Sequence, residues 1–255
     1  MKNILLILVF FTSFNLFSFQ KFDGSSFYVS AESSLSIREK PSLKSEKNGK
    51  LDFKSKVKIK EVLFENFESI QDDGLKISSN WVLIENPSDP ELESYVFGGF
   101  LRQKDYKKDS VIDTSNWVDF KLENHNIFLK QPKGWINITS KNNENVRWSE
   151  DVILKTHEDG MDPTQIIIRV EKKSIMEIEK GIAAKGWFRK IEEIKINEKK
   201  VLKCTYYFDN GCSNIIYLHK SNENETNIVE VSGTCDTHPK GYDETKIKVA
   251  ESVKF

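Results

Sequence analysis

The sequence predicts a multi-domain chain in which an all-β unit is followed by an α+β unit, with an antiparallel sheet flanked by helices. Between residues 27 and 103, short segments rich in β-branched and aromatic residues alternate apolar with polar side chains. From residue 116 to residue 255, a helix signature is set among further strand-like segments. Between the two units, residues 104–115 carry mixed charge and little periodic apolar signal, which indicates an interdomain linker.

The first twenty residues have the features of a secretory signal peptide. Lys2 supplies a positive charge, residues 4–11 form an unbroken apolar run, and small or polar residues interspersed with Phe and Leu follow as far as Gln20. We therefore expect residues 1–20 to be removed on export, leaving a mature protein in the periplasm or outside the cell. The alternative is a retained N-terminal anchor, for which the apolar run is short.

Charge and hydropathy argue against two classes of partner. The chain has 38 basic and 39 acidic side chains, and the two signs alternate rather than forming blocks. Nucleic-acid binding needs a concentrated basic face, so we expect no nucleic-acid partner. After residue 20 no apolar run is long enough to cross a bilayer, so we expect no membrane span in the mature protein.

The segment LSIREKPS predicts the first well-defined strand of the all-β unit. Leu35 and Ile37 alternate with Ser36 and Arg38, so we expect the first pair to face the core and the second to face solvent. Pro41 cannot donate a ladder hydrogen bond, and it therefore ends the strand.

The next strands follow the same alternation. Val57 and Ile59 are expected inside, whereas Lys56 and Lys58 are expected outside. Residues 72–74, Asp-Asp-Gly, are typical of a turn between two strands.

In chain order, this unit contains LSIREKPS, NGKLDFKSKVKI, WVLI and YVFGGFL. That order resembles the bacterial SH3 (SH3b) family, which has a Leu-Asn-Val-Arg-x-x-Pro-Ser opening, a Gly-x-Leu-x-x-Gly segment, a central Trp strand and an aromatic-Val-x-Gly-x-Leu end. The resemblance covers residues 27–103 and implies an N-terminal SH3-like barrel. The chain departs from the family pattern in three places: Ser36 replaces the commoner asparagine, Lys54 stands near a frequent glycine, and residues 65–79 exceed the usual hairpin.

The SH3b resemblance also implies a binding surface. In SH3-like barrels, aromatic side chains near the loops form a shallow groove for extended peptides or glycan stems. The expected partner is therefore a peptidoglycan peptide or an envelope protein. The candidate ligand-binding residues are Tyr28, Arg38, Trp81, Tyr95 and Phe97, with Phe100 beside them. The alternative is that most of these side chains are barrel core, above all Trp81 and Phe100.

In the second unit, Ser174 and Glu177 form the pattern of a capping box, which predicts a helix start. Apolar residues then recur on one face at helical spacing: Ile175, Ile178 and Ile182. Gly186 is the expected stop. A meander of β-segments follows, and DETKIKVAESVKF predicts a last short helix with Ile247 and Ala250 facing inward.

The second unit is similar to the PsbP-like fold in its element order and in two end motifs. These motifs are Pro-Lys-Gly-Trp at residues 132–135 and Ser-Val-Lys-Phe at residues 252–255. The resemblance covers residues 116–255. Members of that family are mostly accessory or binding proteins, so the resemblance implies no catalytic residues.

The three cysteines lie in the second unit, and export would expose them to oxidising conditions. If residues 213–220 and 227–234 form a hairpin, Cys212 and Cys235 face each other at its open end. Directly opposed strand residues are close enough for a disulfide, which would stabilise the fold by about 3 kcal/mol. The alternative is three reduced thiols. Cys204 is expected in the core.

SH3b domains often accompany cell-wall hydrolases, so a cysteine-peptidase site is one alternative for this chain. Residues 209–213, Asp-Asn-Gly-Cys-Ser, superficially resemble the nucleophile segment of NlpC-type peptidases. That chemistry needs a thiolate at a helix N-terminus, whereas Cys212 stands between strands, with His219 on the opposite face.

No metal or cofactor site is predicted. The four histidines are scattered, without HExxH or paired CxxC spacing, and residues 157–162 lack the oxygen spacing of a calcium loop.

The sequence therefore favours an exported, non-catalytic binding or adaptor protein. Two alternatives stay open. One is a cell-wall hydrolase that uses Cys212 or an acidic pair. The other is an inhibitor or immunity-type protein, which would carry a large exposed apolar patch.

Overall fold

The computed structural model describes residues 26–103, 113–122, 127–139, 152–155, 165–185, 187–208, 212–235 and 242–254. The expected signal peptide, most of the linker, Gly186 and the acidic segment 157–162 lie outside the described residues. We refer to the described residues up to 103 as the N-terminal half and to those from 113 onward as the C-terminal half. The N-terminal half contains β1 (Ser26–Val29), β2 (Leu35–Arg38), β3 (Lys47–Leu51), β4 (Lys56–Asp72), β5 (Leu75–Ile84), β6 (Ser94–Phe97) and β7 (Leu101–Arg102).

The C-terminal half has nine described strands and two short helices. The strands are β8 (Trp117–Leu122), β9 (Ile127–Pro132), β10 (Ile136–Thr139), β11 (Val152–Lys155), β12 (Gln165–Glu171), β13 (Phe188–Ile196), β14 (Lys199–Tyr207), β15 (Cys212–Asn222) and β16 (Glu225–Cys235). The helices are α1 (Ile175–Ala183) and α2 (Tyr242–Glu251). The capping box at the start of α1 is confirmed, because the Ser174 hydroxyl accepts from the Glu177 backbone N–H and the Glu177 carboxylate accepts from the Ser174 N–H.

Within the N-terminal half, antiparallel pairing runs β7-β1-β4-β5-β6-β2-β3. The expected inward positions are confirmed, since Leu35, Ile37, Val57 and Ile59 are buried in one cluster, the N-terminal core. The pairing of the described strands does not itself show this path closing into a barrel.

Strands β4 and β5 form an unusually long hairpin. A register shift between Leu63 and Phe67 adds residues to β4, and the Asn80 side-chain amide donates to the carbonyls of Leu63 (3.3 Å) and Phe64 (3.2 Å). Beyond this bulge the hairpin continues to a turn at Asp73-Gly74, where both residues have positive φ. The extra length corresponds to the stretch in which the sequence exceeds the SH3b pattern.

The far part of this hairpin joins the two halves of the molecule. Ile77, Ser78 and Ser79 of β5 pair antiparallel with β13. The Ser79 hydroxyl also donates to the Arg189 carbonyl at 2.8 Å. Fourteen strands from both halves therefore belong to one sheet, in the order β10-β11-β12-β16-β15-β14-β13-β5-β4-β1-β7, with β2, β3 and β6 attached to β5.

Aromatic packing strengthens this junction. Phe188 and Tyr207 belong by sequence to the C-terminal half, yet both are buried in the N-terminal core. Their rings lie 5.0 Å apart between centroids, and the Phe27 ring lies 5.6 Å from Phe188 and 5.5 Å from Tyr207. The Tyr207 hydroxyl donates to the Leu101 carbonyl at 3.2 Å. The two halves thus share a core as well as a sheet.

The C-terminal sheet buries apolar residues on both faces. On one face, α2 and the separate β8–β9 hairpin pack over a cluster that includes Ile127, Val229 and Val249. On the other face, Ile178 of α1 packs with Cys204 and neighbouring apolar residues. No helix among the described residues combines the length and apolar character needed to span a bilayer.

The fold class expected from the sequence is wrong. The described chain is mostly β, its two helices have 9 and 10 residues, and its strands form a large antiparallel sheet across both halves. The expectation of a separate helix-flanked α+β domain failed because local patterns locate strands and caps but carry no signal for the β5–β13 pairing, whose partners are more than one hundred residues apart.

Candidate functional site

The sequence-predicted ligand residues all lie on strands of the N-terminal half, on the side facing away from the N-terminal core. Tyr28 on β1, Arg38 on β2 and Tyr95 on β6 are half-buried. Trp81 on β5 and Phe97 on β6 are buried, with exposed fractions of 1% and 3%. Only the first three therefore offer side chains that a ligand can touch.

Trp81 and Phe97 belong to a second cluster, the Trp81 cluster. Its buried members are Ile77, Trp81 and Phe97, and its partly buried members are Leu63, Ile70, Tyr95 and Phe100. Phe97 lies edge-on between Trp81 and Phe100, at centroid distances of 5.9 Å and 6.1 Å. Trp81 is therefore a core residue of the Trp81 cluster and not of the N-terminal core. Phe100 packs against both clusters.

The Glu68 carboxylate connects this cluster to the loop after β2. It accepts from the Trp81 indole N–H at 2.9 Å, from the Leu43 backbone N–H at 3.1 Å and from the Ser42 hydroxyl at 3.5 Å. A charged acceptor makes each of these bonds stronger than a neutral one would. Sequence reasoning missed Glu68, because an acidic residue in a strand normally indicates only a solvated face.

The loop after β2 is held at several points. One Arg38 Nη donates to the Ser45 carbonyl at 2.5 Å, and the Lys40 N–H donates to the Ser45 hydroxyl at 2.9 Å. The Ser45 N–H in turn donates to the Ser42 carbonyl at 3.1 Å. Arg38 therefore has a positioned guanidinium with further donors left over, since the group carries five N–H bonds.

Arg38 and Tyr95 are the two half-buried candidate residues that the structure brings together. They face each other across β2 and β6. The Tyr95 hydroxyl donates to the Glu93 carboxylate at 3.0 Å. Burial raises the pKa of Tyr95, and the negative charges of Glu93 and Glu61 add to that increase. The phenol therefore stays protonated at neutral pH and remains a hydrogen-bonding group.

Tyr28 lies apart from this pair. It stands on β1, opposite Lys56 of β4 and Arg102 of β7. Because β4, β5 and β6 lie between β1 and β2 in the pairing order, Tyr28 is four strand spacings from Arg38 along the sheet, roughly 19 Å.

The geometry around Cys212 does not suit a cysteine nucleophile. Cys212 opens β15 and pairs with Cys235 of β16, so it lies on a strand rather than at a helix start. His219 lies seven residues further along the same strand, about 23 Å away at 3.3 Å per residue. Its ring contacts the Asn227 amide at 3.3 Å, and burial together with Lys199 lowers its pKa.

The other candidate chemistry has little support among the described residues. Cys204 is a free cysteine, and burial raises the pKa of its thiol to about 12, which disfavours the reactive thiolate. Within the ranges described above, no three His, Cys, Asp or Glu side chains are grouped to hold a metal ion. His125, His157 and His238 lie outside those ranges.

Comparisons with known proteins leave the family open. No protein-family model matches this chain, and no curated protein matches it. Five chains of solved structures are similar to it, and one of them is a cyanobacterial protein. This is the solution structure of cyanobacterial PsbP (CyanoP) from Synechocystis sp. PCC 6803, with 10% sequence identity, a TM-score of 0.39, and coverage of 58% of this chain and 97% of that one. The likeness agrees weakly with the PsbP-like resemblance and, at this TM-score, carries no functional argument.

Proposed function

We propose that this chain is an exported, non-catalytic binding or adaptor protein. Its N-terminal half, which resembles SH3b proteins in motif order, recognises an extended cell-wall peptide or a protein partner. The C-terminal half is an accessory module. The proposal draws on the leader-like first twenty residues and on the SH3b-like motifs. It also fits the strand position of Cys212, which disfavours the hydrolase alternative.

The observation that carries the proposal is the arrangement around Arg38 and Tyr95. Both side chains are half-exposed and adjacent across two strands. Beneath Tyr95 lie the buried rings of the Trp81 cluster, and beside Arg38 lies the loop that Glu68 holds. A tyrosine and an arginine presented on a rigid base are the residue types that contribute most to recognition surfaces.

The proposal predicts that the purified mature protein sediments with isolated peptidoglycan sacculi. Replacing Tyr95 with alanine should reduce the bound fraction several-fold, because it removes the exposed aromatic contact. Leu75→Ala is the matched control, since Leu75 is 42% exposed and lies at the remote hairpin turn. Failure of the wild-type protein to sediment would exclude the cell-wall ligand. Capture of one envelope protein by wild type but not by Tyr95→Ala would instead support the protein-partner arm.

We also propose that Cys212 and Cys235 form a disulfide. The backbone register places the two residues directly opposite each other on β15 and β16. Opposite positions on antiparallel strands have Cα atoms about 4.5–5.5 Å apart, within the range that a disulfide spans. The bridge would tie together the open end of this hairpin.

The disulfide predicts a specific thiol count. No cysteine of the folded protein should be labelled by a thiol reagent within minutes, because Cys204 is fully buried and burial raises the pKa of its thiol to about 12. Unfolding without a reductant should expose one thiol per chain, and unfolding with a reductant should expose all three cysteines of the sequence. A count of three without reductant, measured on protein purified from the periplasm, would contradict the bridge.

A further inference from the structure

One row of side chains crosses five neighbouring strands on the outer face of the N-terminal half. Pairing places Glu61 of β4 next to Leu83 of β5, Leu83 next to Tyr95 of β6, Tyr95 next to Arg38 of β2, and Arg38 next to Lys47 of β3. We call this set the outer row. Four of its members are half-buried, and Lys47 is exposed.

The outer row is acidic at one end, apolar in the middle and basic at the other end. Glu61 forms the acidic end, and Glu93 reinforces it through its hydrogen bond with Tyr95. Burial raises the pKa of Tyr95, and the negative charges of Glu93 and Glu61 raise it further. Arg38 and Lys47 form the basic end. The outer row therefore carries negative charge at its Glu61 end and positive charge at its Arg38 and Lys47 end.

The end charges of the outer row stand outside the ion pairs found among the described residues. In the part of the chain that the structure describes, neither carboxylate and neither cation takes part in an ion pair. By contrast, Lys58 on the same β4 strand pairs with Glu85 at 3.1 Å. Charges left unpaired at both ends of one row are suited to a ligand with opposite charges at its own ends.

The length of the row limits the size of that ligand. Neighbouring strands lie about 4.8 Å apart, so the three steps from Glu61 to Arg38 span roughly 14 Å. An extended peptide advances about 3.3 Å per residue, so four residues span a similar distance. Leu83 and Tyr95 offer an apolar surface to the middle of such a peptide.

We propose that the outer row binds a short zwitterionic peptide of about four residues, with its free amino group at Glu61 and Glu93 and its free carboxylate at Arg38 and Lys47. This inference rests on the proposed function, because it specifies the ligand class and the direction of binding at the same surface. The occupant is the free peptide rather than an internal segment of a folded protein, since an internal segment offers no terminal charges.

The test uses tetra-alanine in four forms: unblocked, N-acetylated, C-amidated and blocked at both ends. Each is titrated into the isotopically labelled mature protein, and affinity is followed by NMR chemical shifts. Blocking either end should weaken binding about fivefold, the effect expected of one exposed ion pair. Equal affinity for all four forms, or no binding by any of them, would overturn the proposal.

Crossed variants assign the two ends. Glu61→Gln should weaken binding of the unblocked peptide about fivefold and leave binding of the acetylated peptide unchanged. Lys47→Gln should weaken binding of the unblocked peptide about fivefold and leave binding of the amidated peptide unchanged. Lys47 is chosen over Arg38 because Arg38 also makes a contact with the loop after β2. Glu65→Gln is the matched control, because Glu65 is exposed on β4 outside the row. If each variant lost the same affinity for the acetylated peptide as for the amidated peptide, the assigned direction of binding would be contradicted.

The outcome also separates this inference from the proposed function. Retention on sacculi together with indifference to the peptide termini would refute the zwitterionic ligand and leave the proposed function standing. Absence of both sacculus retention and peptide binding would refute this inference and would also exclude the cell-wall ligand, so that only the protein-partner arm of the proposed function would stand.

Discussion

Replacing Phe188 with alanine is expected to lower the free energy of unfolding by about 3–5 kcal/mol, the usual cost of deleting a buried aromatic ring. Phe188 is 0% exposed and packs against Phe27 and Tyr207, so its ring fills the space shared by the two halves. Chemical denaturation of the purified protein, followed by tryptophan fluorescence and by far-UV circular dichroism, measures the change.

Phe53→Ala is the control for this deletion. Phe53 is 41% exposed, so the same substitution there should cost less than about 1 kcal/mol. If Phe188→Ala were no more destabilising than Phe53→Ala, the shared core described above would not exist.

Replacing Gly98 with alanine is expected to destabilise the protein by about 3 kcal/mol, at the upper end of typical overpacking costs. A Cβ atom at this position would lie 2.6 Å from Cε2 of Phe188 and 2.7 Å from the carbonyl oxygen of Asn80. One neighbour is backbone and the other is a fully buried ring, so neither can move away cheaply.

Gly181→Ala is the matched control, because Gly181 lies inside α1 and a Cβ there meets nothing within 4 Å. Alanine is the better helix former, so this variant should be more stable than wild type by up to about 1 kcal/mol. The two glycine variants should therefore shift the midpoint of thermal unfolding in opposite directions. If Gly98→Ala were stabilising, Phe188 of β13 would not pack closely against Gly98.

Local patterns predicted local structure well. The alternation of Leu35 and Ile37 with polar residues gave the correct inward face of β2, and the capping box placed the start of α1. The sequence also placed Cys212 opposite Cys235. It did not predict the register shift between Ser213 and Ile215, because a bulge leaves no pattern in alternating residues.

Long-range pairing was beyond the reach of those patterns. Ile77, Ser78 and Ser79 gave no sign that their strand edge would meet β13, since backbone ladders depend little on side-chain identity. For the same reason the sequence identified Arg38 and Tyr95 singly but not as cross-strand neighbours. Trp81 was expected in the main core or in a groove, and the elongated hairpin instead gave it a separate cluster.

The elongated β4–β5 hairpin has an evolutionary consequence. A segment that is transferred between proteins as an independent domain needs its own hydrophobic core and no long unpaired strand edge. Here, cutting the chain after residue 103 would strip Phe188 and Tyr207 from the remaining core and leave the outer edge of β5 without its partner. Genetic recombination would therefore have to transfer the N-terminal and C-terminal halves together to give a product that folds.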